Sequence, residues 1–291
     1  MSQRLDALIR QVRANNPGAM TGSGTNSYII GQGQVAVIDP GPKDPAQLDA
    51  ILGALSHSDE VAAILVTHAH LDHSALAPEL ARITGAPIYA FGNASSGRSN
   101  SMQALVDQGL SSGGEGIDHS FAPDCRLKDD ETLTLGPLTL RAIHSPGHMG
   151  GHMCFALEDV LFSGDHAMGW ATSLVSPPDG DMGAYMASLE QLAAQSWRRM
   201  HPGHGEQVDT PAARLQDLIT HRRQREASVL AELARAPGTA AELAQRIYID
   251  TPPALLPAAS RNVLAHLIDL CDKQSALPEG PITATTRFAR A

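Results

Sequence analysis

Between Ile64 and Leu76 the chain reads ILVTHAHLDHSAL, with His68, His70, Asp72 and His73 crowded into six positions directly after an apolar run. The run VAAILVTH is a buried strand by its unbroken aliphatic character. Side chains on a strand alternate, so His68 and His70, two apart, point the same way. Asp72 and His73 follow in the turn before the next helix. Imidazole nitrogens and carboxylate oxygens together suit zinc and similar borderline ions. A His-rich, solvated turn is the competing reading, and the strand–turn–helix context decides between them.

The flanking sequence supplies that context. NSYIIGQGQVAVIDPG reads as two strands joined by a turn at Gly31 to Gly33, and DPAQLDAILGALS has helical spacing. SALAPELARITG reads as a helix capped by Ser74 and stopped at Gly85. PIYAF is a further strand. The Gly- and Ser-rich stretch Gly92 to Asp118 reads as a surface excursion. ETLTLGPLTLRAIHS predicts two strands around Gly136-Pro137, and HMCFALEDVLFSGD another hairpin. Strands alternating with helices predict an α/β architecture.

Past about Thr210 the character changes to three helices. They are PAARLQDLITHRRQREASVLAELARA, TAAELAQRIY (capped by Thr239) and LPAASRNVLAHLIDLCDK. SALPEG and ITATTRFA then read as a turn and a strand, and the set looks like a small winged-helix-type module. We place the domains at 1–218 and 219–291.

Three more segments share the form of a strand end followed by a ligand-capable residue beside glycine: HSPGHMGGHMCF, LFSGDHAMG and HPGHGE. Glycine lets the backbone turn sharply and approach a bulky group. His148, Asp165 and His204 join the first motif to make seven candidate ligands. Seven is what two adjacent metals need if one carboxylate bridges them.

HxHxDH, a downstream His, a Gly-Asp and a PGHG in this order resemble the metallo-β-lactamase fold superfamily, over residues of about 17 to 205. The resemblance implies a four-layered αββα sandwich and two divalent ions, zinc by default, with manganese or iron as alternatives. It implies that His68, His70 and His148 hold one metal, Asp72, His73 and His204 the other, and that Asp165 bridges them. It further implies Asp72 and Asp165 as the catalytic carboxylates, with Asp72 expected to orient a hydroxide that the two metals would share. True β-lactamases of the superfamily lack the bridging aspartate, so β-lactamase activity is not expected. The pattern points to the branch resembling glyoxalase II, lactonases and metal-dependent nucleases. NPGAMTGSGTNSYIIG, THRRQRE and the winged-helix-like tail with TAAELAQRIYIDTP make the lactamase-beta-like 2 group the closer resemblance, and its animal mitochondrial member is a single-strand RNA endonuclease.

Two substrate classes follow. A small thioester, ester or lactone is the first, and single-stranded RNA the alternative. A non-catalytic regulator is the third reading, which an intact ligand set opposes. Charge bears on the choice. The chain carries a net −10 in all, but residues 219–291 hold nine Lys/Arg against seven Asp/Glu, so the catalytic part is the acidic one. Such a field disfavours a polyanion. Arg222, Arg223 and Arg225 either contact phosphates or form a solvated helix face. Trp170, Thr172, Ser173 and Ser176, in the loop after Asp165, touch substrate or merely build the loop. Asn26 lines the site or caps a turn. The tail packs on the catalytic domain, covering one wall of the site or forming a homodimer.

The remaining histidines are read as packing or surface groups, with His144 and His152 flanking His148 as its supports. Three scattered cysteines without a CxxC spacing fit reduced thiols. The N-terminal residues lack an apolar signal region, and no run approaches the roughly 18 apolar residues of a membrane span. A cytoplasmic protein without a membrane partner is the expectation.

Overall fold

The computed structural model describes residues 5–113 and 116–291. Its first sheet runs β1 (Ile9–Arg13), β2 (Asn26–Gln32), β3 (Gln34–Ile38), β4 (Glu60–Leu65), β5 (Ile88–Ala90) and β6 (Cys125–Arg126), neighbour to neighbour in that order. The first three strands pair antiparallel and the rest parallel. The second sheet has the order β11 (Arg199–Pro202), β10 (Val160–Gly164), β9 (Met153–Leu157), β8 (Leu138–His144) and β7 (Thr132–Leu135). Only its β10–β11 pair is parallel.

The period-two alternation along β2 and β3 builds two separate cores. Ile30, Ala36 and Ile38 face the second sheet and meet Leu140, Ala142, Phe155 and Phe162. Ile29, Val35 and Val37 face outward, onto Leu48 and Ile51 of α1 (Pro45–Gly53) and Leu80 of α3 (Ala77–Thr84). On the far side, Cys154, Ala156 and Leu161 pack against α5 (Met182–Ala193) and α6 (Pro211–Arg235) through Leu189, Leu192, Leu215 and Leu218. The result is the α/β/β/α sandwich expected.

The C-terminal helices α7 (Ala240–Ile247) and α8 (Leu256–Asp272) close on a third sheet, ordered β12 (Gly238–Thr239), β14 (Arg287–Arg290), β13 (Ala276–Pro278). Thr239 and Glu242 form a reciprocal capping box at the start of α7. Leu243, Val263, Leu267 and Phe288 form this unit's core. The division at residue 218 falls inside α6, whose Leu215 and Leu218 serve the sandwich and whose Val229 and Leu233 serve the C-terminal core.

Three local expectations change. Ser74 does not cap a helix. It ends α2 (Leu71–Ser74), and its hydroxyl donates to the His70 carbonyl (2.9 Å) and the Asp118 carboxylate (3.2 Å). The ligand turn itself coils helically, so α3 starts only at Ala77, and it does stop at a left-handed Gly85. The supposed surface excursion contains α4 (Asn100–Asp107), capped by Ser99, with Met102 and Leu105 buried in the C-terminal core; its residues Gly114 and Glu115 lie outside the described residues. SALPEG holds strand β13 as well as a turn. No helix among the described residues is long and apolar enough to cross a membrane.

Candidate metal centre

The C-terminal ends of β4, β10 and β11 and the β8–β9 loop meet at one edge of the sandwich and bring all seven predicted ligands together. His68, His70, His148 and Asp165 offer ligand atoms that lie within 4.8 Å of one another, and Asp72, His73 and His204 form a second such group. Asp165 touches both. Its Oδ2 is 3.8 Å from His148 Nε2 and 3.3 Å from His204 Nε2, and its Oδ1 is 3.4 Å from His73 Nε2.

The donor set fits metal ions. His68 Nε2 and His148 Nε2 lie 2.9 and 3.1 Å from His70 Nδ1, and His73 Nε2 lies 3.3 Å from His204 Nε2. Ligands on a tetrahedral zinc, each about 2.0–2.1 Å from it, stand roughly 3.4 Å apart. The outward nitrogens are occupied: His73 Nδ1 by Asp39 (2.9 Å), His148 Nδ1 by the Leu174 carbonyl (2.6 Å) and His68 Nδ1 by the Thr67 hydroxyl (2.9 Å). Such contacts fix the tautomer whose lone pair points inward. Asp165 Oδ1 is buried with no hydrogen-bond partner among the described residues. Close packing leaves room for little else, since a Cβ on Gly203 would stand 2.4 Å from that oxygen.

The electrostatics divide the seven. Burial, reinforced by neighbouring imidazoles, holds His68 and His148 below the ordinary histidine value and His70 at about 3. His73 also suffers burial, yet Asp72, Asp165 and Asp39 carry it well above that value. His204 resists burial in the same way, raised to about 9 chiefly by Asp165. Burial pushes Asp72 and Asp165 upward, and the imidazoles of His73 and His204 outweigh it, keeping both carboxyls ionised. The carboxylates thus favour positive charge at this edge of the sandwich, the sign that a metal ion would bring.

A cleft of about 470 Å³ opens over the cluster. Met20, Met168, Trp170 and Leu174 line it, with Pro257, Ala258 and Arg261 of α8 forming the opposite wall. Trp170 and Thr172 therefore face the cleft. Ser173 does not. It is buried, and its hydroxyl donates to the Asp165 carbonyl. Ser176 sits in a small adjoining recess and accepts from Arg261 Nε at 2.8 Å. Asn26 is absent from the lining, because its side chain is used in tying the His204 turn to β1. It donates to the carbonyls of Pro202 (3.0 Å) and Gly205 (2.8 Å) and accepts from Gln11 (2.6 Å).

His152 supports the centre from beneath, its Nε2 accepting the Asp165 amide at 3.2 Å. His144 stacks on Phe91 with centroids 4.0 Å apart. His166 is turned away against Tyr185, and His201 packs between Tyr28 and Phe162. The arginine triplet is dispersed rather than a phosphate patch. Arg222 is buried, Arg223 pairs with Glu190 and Arg225 lies over the Tyr248 ring. Asp39 escaped the motif reading. Its carboxylate accepts the Thr67 amide (2.8 Å) and hydroxyl (2.7 Å) besides His73; the signal available was a lone carboxylate at a strand end, in VIDPG.

Fold and ligand set together define a metal-dependent hydrolase. Residues 20–204 match the Metallo-beta-lactamase superfamily, and the chain belongs to that superfamily. Residues 239–280 match the Beta-lactamase associated winged helix domain. The chain is 31% identical over 279 residues to the beta-lactamase-like protein 2 homolog of Drosophila melanogaster, an alignment covering 92% of this chain and 89% of that relative. A metallo-beta-lactamase family protein from Thermus thermophilus shares the fold, with TM-score 0.77 over 98% of this chain and 99% of the other at 24% identity. A protein solved in a di-iron-bound form aligns with TM-score 0.51 and 26% identity over 70% of this chain and 96% of that one.

Proposed function

We propose that the chain hydrolyses a small thioester, ester or lactone with an apolar acyl portion, using two divalent ions. The cleft carries this reading. Its volume suits a small ligand, and the lining above the ligand set includes Met20, Met168, Trp170, Leu174, Pro257 and Ala258, with Arg261 the one Lys or Arg among the described residues that line it. Single-stranded nucleic acid calls for a groove of many cations with aromatic platforms along it, and the acidic catalytic part of the chain works against a polyanion.

The two ligand groups would hold a pair of divalent ions, which would supply an activated water and a Lewis acid for the substrate oxygen. The chain's own residues do the rest. Asp72 Oδ2 stands 3.3 Å from His204 Nε2 and 3.0 Å from the Thr25 hydroxyl, which holds it at the cleft floor and able to orient an attacking water by accepting its hydrogen bond. The apolar walls exclude bulk water and take the acyl chain. Zinc is the expected metal, with manganese and, by analogy with the di-iron relative, iron to be tested beside it.

The test reconstitutes the protein with each metal and measures hydrolysis of acyl thioesters and lactones of increasing chain length, beside cleavage of an end-labelled single-stranded RNA. The expected result is metal-dependent hydrolysis of the acyl compounds whose kcat/KM rises with apolar length, and which falls about 100-fold or more in Asp72→Asn. RNA cleavage abolished by Asp72→Asn, with inert acyl compounds, would replace this reading by the endoribonuclease one.

A further inference from the structure

Arg222 is among the largest fully buried side chains of the protein, yet the chemistry above makes no use of it. Its guanidinium lies over the Tyr185 ring, 5.1 Å from the centroid. One Nη donates to the Ser173 carbonyl, and the other to Asn262 Oδ1 at 3.2 Å. Asn262 belongs to α8, and the same Oδ1 also accepts the Val175 amide at 3.0 Å. Two side chains, one from α6 and one from α8, thus clamp the segment 173–175 at both ends.

That segment is what the metal ligands lean on. The Ser173 hydroxyl donates to the Asp165 carbonyl, and the Leu174 carbonyl accepts His148 Nδ1. The second contact sets the His148 tautomer, leaving Nε2 as the lone-pair donor facing His70 and Asp165. Tyr185 completes the clamp, since Gly147 packs so tightly against it that a Cβ there would stand 2.3 Å from the Tyr185 Cα.

We propose that Arg222 and Asn262 are positioning residues for the metal centre, which orient His148 and Asp165 by clamping Ser173 to Val175. The winged-helix unit would then act as the outer support of the catalytic ligands and not as a cover alone. The proposal rests on the ligand assignment of the preceding subsection.

The test loads the full-length protein with cobalt(II) and follows the visible d–d absorption together with competition against a chromogenic chelator, neither of which needs a substrate. Asn262→Leu removes both acceptor contacts from a half-buried position, whereas Asn262→Asp keeps an acceptor for the Val175 amide and for Arg222. The expected result is a 10–100-fold weaker cobalt affinity and an altered d–d spectrum in Asn262→Leu, with both restored in Asn262→Asp. Arg222→Met should behave as Asn262→Leu, and the double variant should lose no more than the worse single one, because both act through one segment. Near-ultraviolet circular dichroism checks that each variant is folded; if Arg222→Met is not, the two Asn262 variants decide. A folded Asn262→Leu protein with wild-type affinity and spectrum would overturn the proposal alone. Wild-type protein that binds no cobalt would overturn the ligand assignment and the proposal with it.

Discussion

Asp39 sits at a positive φ of 48°, where Asp and Asn are tolerated better than most residues. Asp39→Asn therefore keeps the backbone, removes the charge behind His73 Nδ1 and Thr67, and turns one of the two accepting oxygens into a donor. The expected outcome is a 10–100-fold loss of affinity at the Asp72, His73 and His204 group, measured by metal content after dialysis against graded chelator. The seven ligands were legible in the sequence because four crowd one strand end and the other three each lie beside a glycine. Asp39 was not, because nothing local separates VIDPG from an ordinary turn. Its role arises from the parallel pairing of β3 with β4, in which Ile38 faces Leu65 and so sets Asp39 beside Thr67. Arg222 was hidden differently. In a triplet on one helix, only the packing of α6 reveals which arginine points inward.

Hairpins were the elements most readable in advance, since Gly33 and Gly136 punctuate runs of plain alternation. The ligand turn was not, because its own coil forms α2 and displaces the expected cap. The helix α4 was concealed by its setting, as its two apolar anchors find their partners in a unit more than a hundred residues away. The capping box of α7 was half visible, with Thr239 foreseen. Its oxygen accepts the Glu242 amide at 3.2 Å while the Glu242 carboxylate accepts the Thr239 amide at 2.9 Å. Thr239→Ala should destabilise the C-terminal unit by about 1 kcal/mol. A lower urea midpoint at unchanged slope would show it, and an unchanged midpoint would mean that packing, not the cap, holds this helix end.

At the scale of the whole molecule, neutral histidines are buried in places that have nothing to do with metal. His266 lies in α8 with neither ring nitrogen hydrogen-bonded among the described residues, and burial with Arg222 and Lys273 nearby lowers it to about 3. Burial, and then Arg199, lowers His201 to about 4. Both values are depressed, so protonation favours the unfolded chain, where the rings titrate near the ordinary 6.5. Stability is therefore complete above about pH 6.5 and falls with pH from there until the folded values are reached. Each ring still neutral in the fold at pH 5 costs about 2 kcal/mol relative to neutral pH. Metal loss would add to the acid effect, so the comparison is best made on metal-free protein. His266→Leu, which keeps the volume and removes the titration, should lose about 2 kcal/mol less than wild type between pH 7.5 and 5 in urea unfolding. Equal losses in the two proteins would assign the acid sensitivity to other groups, such as the depressed His68, His70 and His148 of the ligand cluster. Raised values at His73 and His204 have the opposite sign: their stabilisation is fully present below 6.5 and fades as pH climbs through about 9 at His204. The two families of histidine thus pull the stability profile from opposite ends, leaving its maximum between them.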